Sequence, residues 1–112
     1  MENVIFDRIR KDITSSEVVL YMDGSAIFPQ CSSSAAVVQI LSRLGVAFKD
    51  INATADGKLR NSLKEFADWP TLPMLYIKGE FVGGCDIVRE MYKCGELQEL
   101  LREKGIMPAE AV

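Results

Sequence analysis

Phe28-Pro29-Gln30-Cys31-Ser32-Ser33-Ser34 reads as the loop that ends a buried strand and opens a helix, and the rest of the chain is organised around it. Upstream, Val18-Val19-Leu20-Tyr21-Met22 is a short run of β-formers. Downstream, Val37, Ile40, Leu41 and Leu44 recur at i, i+3, i+4 and i+7, the spacing of one apolar helix face, and Gly45 stops it. Cys31 is therefore expected at a helix N-terminus, where unpaired N–H groups and the positive end of the dipole favour an anion. A thiol placed there is biased towards thiolate, the form that attacks disulfides and binds metals. The plainer alternative is a small residue packed in a loop.

Working outward, Phe6, Ile9 and Ile13 mark one face of an opening helix that ends at Thr14-Ser15-Ser16. Asp23-Gly24-Ser25 is a turn leading to the cysteine loop. Val46 to Ile51 gives a second strand, interrupted by Lys49 and Asp50, and Leu59, Leu63 and Phe66 mark a third helix. Arg60 and Lys64 sit one turn apart on another face of it. Trp69-Pro70-Thr71-Leu72-Pro73 breaks this helix, and Pro73, placed before a strand, is a candidate cis proline. Met74–Ile77 is a strand, Lys78-Gly79-Glu80 a tight turn and Phe81-Val82 its hairpin partner. Gly83-Gly84-Cys85-Asp86 leads into a helix with Ile87, Val88, Met91 and Tyr92 on one face. Gly95 separates it from a last helix carrying Leu97, Leu100 and Leu101.

This order predicts an α/β protein of the thioredoxin-like class: a four-stranded mixed sheet flanked by helices on both faces. The first two strands form a parallel pair through a right-handed crossover, and the hairpin adds antiparallel strands. A single domain is expected over residues 1–112, with a flexible tail from about residue 104.

Composition narrows the function. A net charge of −3 argues against nucleic acid as the main partner. No apolar run is long enough to span a membrane, and the start lacks the pattern of a signal peptide, so a cytoplasmic or mature organellar matrix form is expected. Three cysteines, an odd number, do not make a disulfide framework and suit a reducing compartment. The absence of histidine removes His-ligated zinc, the Cys–His pair and any His general base.

The run from Trp69 through Pro73, Leu75-Tyr76 and Gly79-Glu80-Phe81-Val82-Gly83-Gly84-Cys85-Asp86-Ile87 closely resembles the monothiol glutaredoxins. So do Phe28-Pro29-Gln30-Cys31 and Gly95-Glu96-Leu97, and the resemblance covers about residues 3 to 102. It implies glutathione binding and, as in many members, a [2Fe-2S] cluster held between two subunits and passed on. It makes Cys31 the active thiol and iron ligand, and Arg60 and Lys64 the holders of glutathione's glycine carboxylate. Thr71, Leu72 and Pro73 become the edge that pairs with its cysteinyl backbone. Gly84, Cys85 and Asp86 become the helix terminus that receives its γ-glutamyl end. Glutathione is an extended peptide with a carboxylate at each end, so a strand-like edge between basic or N–H-rich groups suits it.

Two positions depart from the family pattern. Its Cys-Gly-Phe-Ser is here Cys31-Ser32-Ser33-Ser34, and its lysine in the preceding turn is Asp23. A carboxylate beside the thiol would oppose the thiolate that an ammonium favours, unless Asp23 points away. Weaker glutathione binding is expected.

Three functions follow. As an iron–sulfur carrier, the protein would act as a homodimer when cluster-bound, since a cluster takes four ligands and each chain offers one thiol, leaving two glutathiones to complete the set. As a glutathione-dependent monothiol oxidoreductase, it could form no Cys31–Ser34 disulfide and would work through mixed disulfides or Cys85. As a non-catalytic module, it would only dock partners, of which the resemblance suggests BolA-like proteins, beside iron–sulfur clients. Cys85 reads as packing or a resolving thiol, Cys94 as structural, Asp86 as a possible helix cap and Trp69 as packing.

Overall fold

A computed structural model of the chain describes residues 2–54, 57–69 and 71–106. Pro70 and the tail from 107 to 112 lie outside the described residues. Five helices and four strands follow one another as α1 (Glu2–Ser15), β1 (Val18–Met22), α2 (Ser32–Arg43), β2 (Lys49–Asn52), α3 (Gly57–Ala67), β3 (Met74–Ile77), β4 (Glu80–Gly83), α4 (Cys85–Cys94) and α5 (Glu96–Glu103). The strands form one mixed sheet in the order β2-β1-β3-β4. β1 runs parallel to β2 and antiparallel to β3, and β3 is antiparallel to β4. This is the thioredoxin-like arrangement expected from the element order.

Alternation along the central strands sorts the core into two layers. Val18, Leu20 and Met22 of β1, with Leu75 and Ile77 of β3, pack against Val37, Ile40 and Leu41 of α2, Val88 of α4, and Leu97 and Leu101 of α5. Val19, Tyr21, Met74 and Tyr76 point to the other face, against Ile9 and Ile13 of α1 and Leu59 and Leu63 of α3. Every residue of β1 and β3 is buried, so these two strands read as continuous apolar runs.

β2 begins three residues later than the Val46–Ile51 expectation. The backbone explains the delay. Val46 donates its N–H to Leu41 O at 3.1 Å, and Gly45 donates to Ser42 O at 3.1 Å, closing α2 in a left-handed turn with Gly45 at φ 70°. The Val46 amide is spent on the helix end and is not free to enter a ladder. α4 and α5 separate at Gly95, whose φ of 86° ends one helix and starts the next. Past α5, Lys104, Gly105 and Ile106 donate back to Leu100, Arg102 and Leu101, and Lys104 Nζ lies 3.1 Å from Glu80 Oε1.

Candidate functional site

Strand register brings the chemistry to one end of the sheet. Met22 pairs with Asn52, Tyr21 with Met74 and Leu75 with Gly83. The chain therefore leaves β1 towards Asp23, enters β3 from Pro73 and leaves β4 towards Gly84 at the same edge. Cys31, Leu72–Pro73 and Gly84–Cys85–Asp86 are assembled there from three distant parts of the sequence. The Leu72–Pro73 peptide is cis, as expected.

The loop carrying Cys31 is folded back by its own backbone. Gln30 N–H donates to Asp23 O at 3.0 Å, Ser25 N–H to Phe28 O at 3.2 Å, and Phe28 N–H to Ser25 Oγ at 3.1 Å. Gly24 must turn with φ 82°, and a Cβ there would collide with Phe28 O, so the turn demands glycine. β2 supports the loop from the side: Gly24 N–H donates to Asn52 Oδ1 at 3.2 Å and Ala26 N–H to Asp50 Oδ2 at 2.9 Å. Asp50, which looks like an interruption in a strand, and Asn52 are in fact loop anchors. Short polar side chains at a strand end, close to a turn with free amides, were the available signal. The tip of the loop is apolar and exposed, with Ile27 82% and Phe28 72% accessible.

Cys31 takes the N-cap position of α2 in extended conformation, and its side chain makes no cap hydrogen bond. It is a half-buried free thiol. Its Sγ lies 3.2 Å from Asp23 Oδ2 and 3.4 Å from Ser34 Oγ. A thiol has one proton, and a carboxylate has none to give, so Cys31 donates to Asp23. Ser34, fully buried, accepts the Asp23 N–H at 3.2 Å and has its own hydroxyl hydrogen to offer the sulfur. Of the two orientations open to Asp23, the side chain takes the one facing the thiol. Ser34, which sequence reasoning treated only as a missing second cysteine, is the buried joint between loop and helix.

The remaining site candidates divide by position. Gly84 is buried and caps α4. A Cβ there would stand 3.0 Å from the Trp69 indole nitrogen and 3.2 Å from Pro73 O, so bare backbone is needed for that approach. The cap is Gly84 and not Asp86, because the close approach to Trp69 and Pro73 puts the extended residue one step before Cys85. Asp86 sits exposed in the first turn of α4, where its charge suits the dipole. Cys85 is half-buried against the α2/α4/α5 core, and Leu72 against the opposite layer, while Thr71 is exposed. Trp69 packs on Phe81 with centroids 5.6 Å apart.

Arg60 is exposed and Lys64 half-buried, one turn apart on α3. That helix packs on the face opposite α2, and neither side chain has an ion-pair or hydrogen-bond partner among the described residues. Cys94, expected to be structural, is exposed at the end of α4, with its Sγ 3.1 Å from Glu96 Oε1. Hydrogen bonding to that carboxylate raises the Cys94 thiol above its ordinary range. Among the described residues no three His, Cys, Asp or Glu side chains gather as a metal site, and no helix is long and apolar enough to cross a membrane.

A strand-loop-helix with one capping thiol, a cis proline at the same end of the sheet and a glycine-capped second helix define a thiol-centred site on a thioredoxin-like sheet. The Glutaredoxin family model matches residues 18–82. A Rickettsia conorii protein named probable monothiol glutaredoxin 2 is 52% identical over 102 residues, covering 91% of this chain and 95% of its own. The mitochondrial monothiol glutaredoxin-5 of Lachancea kluyveri is 45% identical over 105 residues, covering 91% of this chain and 73% of its own. The chain belongs to the glutaredoxin family, on its monothiol branch. In three dimensions it is similar to a reduced apo poplar glutaredoxin in solution, with TM-score 0.77 and 48% identity over 91% of each chain. It shares the fold of a buckwheat glutaredoxin solved with glutathione, TM-score 0.82 and 21% identity, covering 95% of this chain and 94% of that one.

Proposed function

We propose that this protein is a monothiol glutaredoxin that binds glutathione through Cys31 and, as a pair of chains, carries a [2Fe-2S] cluster as cargo for iron–sulfur assembly. The observation that carries this reading is the position of Cys31: a free, half-buried thiol at the uncapped N-terminus of α2, at the sheet end shared with cis-Pro73 and the α4 terminus. The donor set fits the cargo in kind. Thiolates hold such clusters, one chain supplies one, and the uncapped amides of α2 favour the negative charge. Arg60 and Lys64, without partners among the described residues, are available to a glutathione carboxylate. Gly84 and Asp86 offer the α4 terminus to the other end. BolA-like proteins and iron–sulfur clients are the partners consistent with this role, in a cytoplasmic or organellar matrix setting.

Anaerobic reconstitution with iron, sulfide and glutathione tests it by visible absorption and sizing. A cluster-bearing dimer is expected, lost in Cys31→Ser and kept in Cys94→Ser. A cluster-bearing monomer, or a cluster that survives Cys31→Ser, would sink the two-chain assignment.

A second activity has its own support. Ser34 Oγ occupies the position 3.4 Å from Cys31 Sγ where a second thiol would close an internal disulfide. No Cys31–Ser34 disulfide can form, so disulfide exchange at Cys31 proceeds through a mixed disulfide with an outside thiol or through Cys85. Turnover of a glutathionylated peptide, with loss in Cys31→Ser, tests that activity.

A further inference from the structure

Asp23 bears on which outside thiol Cys31 accepts. Its carboxylate stands 3.2 Å from the sulfur, so any group joined to Cys31 by a disulfide places the atoms next to its own sulfur within a few ångströms of a fixed negative charge. The α2 amides act on the sulfur itself. Asp23 acts on the substituent that the sulfur carries. Asp86, exposed in the first turn of α4, adds a second carboxylate at the same end of the sheet. Asp50 is engaged by the Ala26 amide. Arg60 and Lys64, without ion-pair partners among the described residues, lie on α3, which packs on the face of the sheet opposite α2.

We infer that Asp23 is a specificity-determining residue that makes Cys31 select thiols and disulfides carrying a cation, an ammonium or guanidinium, two or three bonds from the reacting sulfur. An aminothiol, or a peptide whose cysteine carries a free α-amino group, is the substrate class that fits. The inference rests on the mixed-disulfide reading of Cys31 and names its substrate. In the exchange, the Cys31 thiolate attacks one sulfur of the partner disulfide. One S–S bond forms and one breaks, and the leaving thiolate takes its proton from solvent, so no further oxidant is needed.

The test uses three small symmetrical disulfides at one pH and low salt: cystamine, bis(2-hydroxyethyl) disulfide and dithiodiglycolate. Adducts at Cys31 are followed by peptide mass spectrometry, which separates them from adducts at Cys85 and Cys94. Rates are divided by those of Asp23→Asn, which cancels the intrinsic reactivity of each reagent. The Asp23 main chain, and not its carboxylate, makes the bonds to Ser34 and Gln30, so this variant retains the loop. The normalised rate of the cation should exceed that of the neutral reagent about threefold to tenfold, with the anion lower by a similar factor. Both ratios should shrink towards one in high salt. Equal normalised rates, or an anion that reacts fastest, would overturn the inference and leave exchange at Cys31 standing. Failure of all three reagents to modify Cys31 would overturn the exchange reading, and the inference with it.

Discussion

Asp23 Oδ2 lies 3.2 Å from Cys31 Sγ, so the thiol at the head of α2 donates a hydrogen bond to a carboxylate. Two influences meet at that sulfur with opposite sign. The uncapped amides of α2 favour negative charge on it, and the Asp23 carboxylate opposes it. Removing or reversing the charge measures the second influence. Asp23→Asn should speed alkylation of Cys31 at a fixed pH, and Asp23→Lys should speed it further. At about pH 7 the Lys variant should alkylate roughly fivefold faster or more, a gain that fades as salt rises. Equal rates in the parent and both variants would mean that the carboxylate does not govern the thiol.

Ser34 holds the loop to the helix from inside the core. Ser34→Ala removes the acceptor of the Asp23 N–H and the hydroxyl beside Cys31. An amide left without a partner costs about 1–3 kcal/mol, read as a lower urea midpoint at unchanged m. An unchanged midpoint would show that the amide finds another acceptor.

Much of this site was legible in the sequence because its parts obey local rules. The β-former run, the i, i+3, i+4 face of α2 and the proline before β3 each follow from short-range sterics and periodicity. What the chain alone withheld was which way short polar side chains turn. Asp23 could face solvent or sulfur, and only the fold-back of the loop, closed by Gln30 on Asp23 O, decides it. Asp50 and Asn52 were opaque for the same reason. Their acceptors matter only because β2 lies beside β1 and its end meets the turn at Gly24. The late start of β2 was hidden too, because the competing demand of the α2 end for the Val46 amide is a contest between two backbone patterns.

Gly84 is required by proximity. Gly84→Ala places a methyl 3.0 Å from the Trp69 indole nitrogen and 3.2 Å from Pro73 O, a ring and a backbone atom with little freedom to yield. Overpacking of this kind costs roughly 1–3 kcal/mol. A stability loss with altered tryptophan fluorescence should follow. Native stability and emission in this variant would show that α4 can slide outward freely.

Glu96 should govern the reactivity of Cys94. Hydrogen bonding to Glu96 raises Cys94, so at a given pH less of it is thiolate than in a free cysteine. Glu96→Gln removes the carboxylate, and peptide-resolved alkylation of Cys94 at about pH 8 should then speed up, with Cys31 unmoved. No change at Cys94 would assign its reactivity to exposure alone.

The two core tyrosines make the fold sensitive to alkali. Burial pushes the Tyr76 hydroxyl up from 10.0 to about 12. Burial, with the Asp12 carboxylate and Tyr76 adding to it, pushes Tyr21 higher still. Their rings meet edge-on with centroids 6.0 Å apart, between β1 and β3. Above pH 10 an unfolded tyrosine has released its proton while the folded Tyr76 retains it, so the unfolded state binds fewer protons and stability falls as pH rises. The contribution is whole below pH 10 and is lost on passing through about 12. Tyr76→Phe replaces the ionisable ring with one of nearly the same shape. Its urea midpoint should decline less steeply over this range than the parent's, and Tyr21→Phe/Tyr76→Phe should be flatter again. Parallel declines in all three proteins would place the alkaline lability in lysine deprotonation and not in this ring pair.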